Sequence, residues 1–270
     1  MLTNEIETLA IGGFDGVHIA HQRLIEKVGD RGGVLIINKF ASNLTPKDYR
    51  CKFINKPCFF YDLKSILKLN CEDFANFLKR EFKSLKRIVI GYDFRYGYKR
   101  GCDIEELKKS FEVEVVDEVK VDGVSVHSGV IREFIKNGKI KEANRLLGRA
   151  YSIEGEIIRG QGLGKKELVP TINISVCDFL LPKNGVYITN TKINGKTYRS
   201  VTFIGVREST DGCFSVESHI IDEDIEAGQE KAEIYFFDFI RENQKFNSLK
   251  ELKVKIKEDI DKTRSYFAKR

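Results

Sequence analysis

No stretch of this chain approaches membrane-spanning length, and it contains no internal repeat and no low-complexity linker. Its opening residues, Met1 to Glu7, carry two acids and no apolar run, so they do not read as a signal peptide. No two of its six cysteines (51, 58, 71, 102, 177 and 213) have Cys-x-x-Cys spacing. That argues against a zinc site or a redox dithiol, and reduced thiols in a cytoplasm are the simplest reading. There is no strong charge of one sign either: 46 Lys+Arg against 40 Asp+Glu leaves +6. The lysines are scattered among glutamates, as in Lys250-Glu251-Leu252-Lys253, which is the pattern of a solvated face. Such a balance suits small anionic ligands and speaks against nucleic acid. What remains is a soluble, folded protein: 270 residues, 41% hydrophobic and 32% charged, enough for one large core or two ordinary ones.

The pattern changes after Gly148. Before it, apolar runs at 8–11, 34–37, 58–61, 87–90 and 112–116 alternate with helical patterns such as 72–82 and 104–110. Strands spaced by helices predict a parallel, doubly wound sheet whose ligands bind beyond the carboxyl ends of the strands. Helical patterns at 129–137 and 140–147 close this part. After it, alternating segments at 151–158, 185–191, 198–204, 213–221 and 231–239 are separated by turns that include Asn194-Gly195 and Asp211-Gly212. These predict an antiparallel barrel or sandwich. Ser248-x-x-Glu251 is a capping box for a last helix, whose stripe of Leu249, Leu252, Ile256 and Ile260 reads as core packing.

Two groups of residues carry chemistry. The first follows the first strand: Gly12-Gly13-Phe14-Asp15-Gly16-Val17-His18, then His21. Strand, glycine-rich turn and helix start aim backbone N–H groups at an anion. Two of the four histidines lie here, three residues apart on one helix face. As charged rings they would donate to phosphate oxygens from both nitrogens; the alternative is that they merely decorate a helix start. Asp15 orients the turn or holds a metal through water. The second group is Gly160-Gln161-Gly162-Leu163-Gly164, then Pro170-Thr171-Ile172-Asn173, then Glu217. The glycine-rich loop lacks the Gly-Lys-Ser/Thr ending of a Walker loop; it is a phosphate cradle or only a flexible hairpin. Thr171 and Asn173 alternate with Ile172, so they share a strand face and offer oxygen ligands suited to Mg²⁺. Glu217 is a candidate general base if it faces the barrel interior; outward, it would simply be solvated.

From about residue 8 to 266 the chain resembles the bacterial bifunctional riboflavin kinase/FAD synthetase family. Gly12 through Gln22 is similar to the family's G-[NT]-F-D-G-V-H-x-G-H-Q signature, and Gly91 through Gly97 to G-x-D-F-x-F-G. Leu146-Leu147-Gly148-Arg149 resembles the family's junction between domains. Pro170, Thr171 and Asn173 match P-T-x-N; Glu217 and His219 match E-x-H; Arg241, Lys245 and Phe246 match R-x-x-x-K-F.

The resemblance implies a Rossmann-like nucleotidyltransferase sheet over 1–148 and a flavokinase β-barrel with a terminal helix over 149–270. It implies ATP-dependent phosphorylation of riboflavin to FMN, then adenylylation of FMN to FAD, with Mg²⁺ and in the cytoplasm. The implied partners are small molecules and neither nucleic acid nor membrane, for a monomer or weak oligomer. The implied roles are Glu217 as base, Thr171 and Asn173 toward Mg²⁺, His18 and His21 on the phosphates and Arg132 on the leaving pyrophosphate. Gly12, Phe14, Asp15, Gly16, Asp93, Phe94, Ser128, Gly160, Gly162, Gly164 and Arg241 would bind substrate or cofactor.

The departures fall mainly in the first half. Gly13 replaces Asn or Thr, Ala20 replaces Gly, and His127 and Gly129 stand in a segment that usually carries three hydroxyls, of which Ser128 survives. The T-F-x-P-H-P segment is missing after the second strand. In the second half Leu168 replaces a Gly and Glu208 a Pro. The alternatives are a kinase with a degenerate adenylyltransferase half, or a non-catalytic flavin- or nucleotide-binding regulator.

Overall fold

The computed structural model describes residues 3–38, 43–158, 169–207, 212–223, 225 and 230–269. By contact the chain divides into two compact units, Met1–Val130 and Ile131–Arg270.

The first unit holds a parallel sheet in the order β3-β2-β1-β4-β5. Its strands are β1 (Thr8–Gly12), β2 (Gly32–Asn38), β3 (Cys58–Asp62), β4 (Arg87–Gly91) and β5 (Glu112–Val116). Successive side chains of a strand point to opposite faces, and the core divides accordingly. Leu9, Ile11, Leu35, Ile37, Ile88 and Ile90 pack with Phe74 and Leu78 of α3 (Cys71–Glu81) and Leu107 of α4 (Ile104–Lys108). Ala10, Val34, Ile36 and Val89 pack on the other face with Leu24 and Ile25 of α1 (Ile19–Glu26). The short α2 (Leu63–Ile66) follows β3, and β6 (Lys120–Val121) pairs with β7 (Val124–Ser125) after β5. The predicted doubly wound sheet is therefore present. Its strand order reverses at β1, between β2 and β4, which is where ligands of such sheets collect.

The thiols differ from expectation. Cys71, at the start of α3, is disulfide-bonded to Cys102; Cys51, Cys58, Cys177 and Cys213 are free. Sequence spacing misses the pair because 31 residues separate its members, and only the folding of the β4–α4 connection brings them together. Gly97 packs against it with φ +75°, and a Cβ there would fall 2.2 Å from Cys102 Sγ, so no larger residue fits. Replacing Cys71 with serine is expected to lower the stability of this unit by about 2–4 kcal/mol. Denaturant melts of both proteins with and without reductant check this: the difference should vanish when wild type is reduced.

The second unit is a closed barrel in the order β10-β11-β12-β9-β8-β13. Its strands are β8 (Tyr151–Ile158), β9 (Ile172–Ser175), β10 (Gly185–Ile193), β11 (Lys196–Val206), β12 (Phe214–Ile220) and β13 (Lys231–Arg241). Thr189, Thr191, Ser200, Thr202 and Ser218 are fully buried inside it. Their hydroxyls bond one another across β10, β11 and β12 at 2.7–3.3 Å, which meets the rule that buried polar groups be paired.

Helix α5 (Ser128–Lys136) runs across the division, and α6 (Ile140–Leu147) belongs to the second unit. Asn144 Nδ2 donates to Phe236 O at 2.8 Å, its Oδ1 accepts from Tyr151 N at 2.7 Å, and Lys141 pairs with Asp238 at 2.6 Å. These bonds tie α6 to the barrel, and the compact units divide between Val130 and Ile131. Gly148 itself caps α6 in the left-handed conformation.

The last helix, α7 (Leu249–Ala268), starts as predicted: Ser248 accepts from Glu251 N at 3.2 Å. It packs on the outside of β10 and β11, where Ile260 and Ile256 meet Val186, Val201 and Phe203. The predicted stripe is only partly core, because Leu249 is 43% exposed.

Candidate active sites

In the second unit, β9 and β12 pair antiparallel with Asn173 directly opposite Glu217. Directly opposed residues share a sheet face, and Thr171, two residues before Asn173, shares it too. Thr171 Oγ1 donates to Glu217 Oε2 at 3.3 Å. The three residues singled out in the sequence therefore meet. The face they share is a correction. Ser218 points into the hydroxyl network, so its neighbour Glu217 points away from the barrel interior. It is not solvated either: α7 and the segment after β13 roof it, and its side chain is only 18% exposed.

The cavity so formed has apolar walls from Val186, Val201 and Phe203 on the barrel and Leu252 and Ile256 on α7. Glu217 enters it held by two donors besides Thr171: Ser215 Oγ at 2.9 Å and Arg207 Nη1 at 3.2 Å. Neither Ser215 nor Arg207 is evident from the sequence. Ser215 is one i+2 step from Glu217 on β12, and Arg207 follows β11 across the hairpin, with its N–H on Cys213 O at 3.0 Å. His219 Nδ1 donates to Pro170 O at 2.7 Å, which fixes the approach to β9 against β12. Arg241 lines the same cavity, but its guanidinium is spent on Asp259 Oδ2, from Nε at 2.9 Å and Nη2 at 2.8 Å. Gly160, Gly162 and Gly164 lie outside the described residues, as do Leu168 and Glu208.

In the first unit, the turn after β1 is held from beneath. Asp15 Oδ1 accepts from the N–H groups of Leu44 and Thr45, both at 3.0 Å. Arg50, 1% exposed, donates to Thr45 O and Gly13 O, both at 2.9 Å. Burial pulls its guanidinium below the usual range, and the nearby charge of Asp15 opposes that fall. Of the two roles open to Asp15, the geometry gives it the first, orienting the turn. Ser128 Oγ adds a bond to Asp15 O at 2.7 Å. Phe14 is fully buried in the core, so it supports the turn and offers no surface to a ligand. Phe14 and Val17 both take positive φ, at 48° and 38°, a conformation that costs non-glycine residues energy and that these contacts hold in place. Gly16 N–H is taken by Thr45 Oγ1 at 2.7 Å and so is engaged within the fold.

His18 is the N-cap of α1, where its Nδ1 accepts from His21 N at 3.4 Å. Nδ1 of His18 is therefore engaged within the helix start and is not presented to a ligand. The two imidazoles stack with centroids 3.6 Å apart, at 15°. After β4, Asp93 is exposed, while Phe94 stacks on Tyr96 and packs against the core. Gly12 stands at the end of β1, and a Cβ there would press on the Phe14 ring at 3.3 Å. Tyr92 Oη and His127 Nε2 are hydrogen-bonded at 2.9 Å. Arg132 stands four residues beyond Ser128 on α5 and counts with the second unit.

The flavokinase (riboflavin kinase) family profile matches residues 147–267, the stretch containing the barrel and α7. A protein of Listeria monocytogenes serovar 1/2a, named bifunctional riboflavin kinase/FMN adenylyltransferase, is 30% identical over 295 residues, spanning 97% of this chain and 93% of its own. The chain belongs to that family. A second bifunctional riboflavin kinase/FMN adenylyltransferase, from Buchnera aphidicola subsp. Schizaphis graminum, is 30% identical over 98% of this chain and 95% of its own. A crystal structure described as a macrolide-efflux protein from Streptococcus pneumoniae superposes with a TM-score of 0.85 at 24% identity, covering 96% of this chain and 94% of that one. That likeness shows the fold alone. Among the described residues, no helix is long and apolar enough to cross a membrane.

Proposed function

We propose that this riboflavin kinase/FMN adenylyltransferase family member makes FMN in its barrel and FAD at its parallel sheet, with the functional halves 1–148 and 149–270. The observation that carries the kinase reading is that Thr171, Asn173 and Glu217 share one sheet face, with Thr171 and Glu217 lining the cavity under α7. Glu217 accepts the proton of the riboflavin 5′-hydroxyl as that oxygen attacks the γ-phosphorus of ATP and ADP leaves. Little covalent chemistry is asked of the chain, and positioning with charge neutralisation dominates. Thr171 and Asn173 present hydroxyl and amide oxygens beside a carboxylate, a donor set that fits Mg²⁺. When bound, Mg²⁺ would neutralise charge on the ATP phosphates. The apolar walls under α7 accommodate the flat flavin ring.

At the sheet, an FMN phosphate oxygen attacks the α-phosphorus of a second ATP and pyrophosphate leaves. The start of α1, with His18 and His21 on its first turn, stabilises the charge that develops on the phosphates. Arg132 neutralises the leaving group. We propose a cytoplasmic enzyme of small molecules, monomeric or weakly oligomeric, and the scattered surface charge speaks against nucleic acid as a partner.

One incubation with riboflavin, ATP and Mg²⁺, resolved by chromatography, tests the reading. FMN and FAD together are expected; FMN alone would leave a kinase with a degenerate first half, and neither product would favour a binding regulator. A His21→Ala change is expected to lower FAD formation by about 10²–10³-fold, the loss of one transition-state donor, while FMN formation is unchanged. Equal loss of both products would mean that the substitution unfolds the chain.

A further inference from the structure

The motif Gly91–Gly97 leaves the carboxyl end of β4, the neighbour of β1 at the point where the strand order reverses. Two inward rings anchor its middle: Phe94 stacks on Tyr96, and Tyr96 meets Phe74 of α3 with centroids 5.0 Å apart. The turn that follows is exposed at Lys99, Arg100 and Gly101, and Gly97, Lys99 and Arg100 take positive φ, at 75°, 53° and 61°. Non-glycine residues keep such angles only where their surroundings over-determine them. Cys102 N–H closes the turn onto the motif by donating to Tyr96 O at 3.1 Å. The turn is tied to α3 and the residues before it by Tyr98 N–H on Leu69 O at 2.8 Å, and covalently by the bridge from Cys102 to Cys71. Cys102 is buried and Cys71 only partly so.

We infer that this disulfide is a redox switch on FAD formation. The inference rests on the proposed adenylyltransferase reading of the sheet edge. Closed, the bridge fixes the turn against α3, and the turn holds the motif that carries Asp93 at the edge where ligands of such sheets collect. A dithiol reductant opens it in two exchanges. One reductant thiolate attacks a sulfur of the bridge, and the other cysteine leaves. The second reductant thiolate then displaces the first cysteine and closes the reductant's own disulfide. Each cysteine takes up one proton, and two electrons have passed to the pair; a disulfide oxidant reverses the change by taking them back. With the bridge open, the left-handed residues lose their covalent hold, the motif wanders, and productive attack on the α-phosphorus becomes rare. The FMN-forming cavity has no part in this, since none of the described residues that line it is a cysteine. Reducing conditions therefore stop the sequence at FMN, and oxidising conditions carry it to FAD.

The full-length protein, incubated with riboflavin, ATP and Mg²⁺ in buffers of oxidised and reduced dithiothreitol, tests this. FMN and FAD are resolved by chromatography, and free thiols are located by alkylation and mass spectrometry. FAD formation is expected to fall about 10–100-fold from the oxidised to the reduced end, the scale of loss that a small misplacement brings. The fall should follow alkylation of Cys71 and Cys102, while riboflavin consumption stays constant. Cys71→Ser should show the low rate at both ends. A chain with Cys51→Ser and Cys58→Ser, which lacks the free thiols of the same unit, should keep the full response. In wild type, reduction should quicken hydrogen exchange over residues 92–102 by more than over β1 and β2. FAD formation indifferent to the bridge, a response that survives Cys71→Ser, or an equal loss of protection across the whole sheet would each overturn the switch. Failure of the oxidised protein to form any FAD would instead overturn the adenylyltransferase reading.

Discussion

Glu217→Gln is expected to depress riboflavin phosphorylation by about 10²–10⁴-fold, the usual loss when a general base is removed. Riboflavin and ATP binding should change by no more than a few-fold. The physical reason lies in the surroundings of the carboxylate. Thr171, Ser215 and Arg207 all donate to it, so its orientation is fixed and both of its oxygens are engaged as acceptors. Glutamine has the same shape but cannot take a proton, and its NH₂ must face one of those donors. Steady-state kinetics with flavin titration separate the two effects: kcat should fall while KM for riboflavin stays near wild type. Wild-type turnover in Glu217→Gln would remove the base from the mechanism.

Asp15→Ala should produce the largest change at the other centre. Asp15 Oδ1 is the anchor on which Leu44 and Thr45 turn, and Arg50 then bridges Thr45 to Gly13. Removing the carboxylate leaves two buried N–H groups without that acceptor and an arginine buried to 1% exposure without its nearby counter-charge. The cost expected is about 1–3 kcal/mol for each buried N–H left without that acceptor. Hydrogen exchange should quicken over residues 43–50, FAD formation should be lost and FMN formation should persist. Unchanged protection there, together with normal FAD formation, would show the anchor to be dispensable.

Much of the fold is legible in the sequence because the two periodicities are strong. All five parallel strands lie within a residue or two of their predicted runs. The central β1, β2 and β4 are buried on both faces and so read as apolar runs, whereas β5 at an edge alternates glutamate with valine. The meeting of Thr171, Asn173 and Glu217 is legible for a related reason: alternation fixes which residues share a face. Alternation alone does not say which face is which. The barrel interior is lined in part by threonine and serine, and the apolar layer of Val186, Val201 and Phe203 lies outside, under α7. A rule that sends polar residues outward therefore misplaces Thr189, Thr191 and Ser218, and the expectation that a catalytic Glu217 faces the barrel interior fails with it. The roles of Arg50, Arg207 and Asp259 are invisible in the sequence because each depends on a partner 18 or more residues away or on a hairpin crossing. Phe14 and Gly16 stand in a motif of the nucleotide-binding type, yet the fold uses the ring of one and the N–H of the other for itself.

The position of α6 has a practical consequence for anyone who wishes to study the barrel by itself. Ile140, Ala143, Leu146 and Leu147 are buried, and the chain that carries them is stitched to β8 and β13 through Asn144 and Lys141. A fragment begun at residue 149 would be sheared of that cover and left with a greasy flank prone to clumping. One begun ahead of residue 131 would carry its own lining.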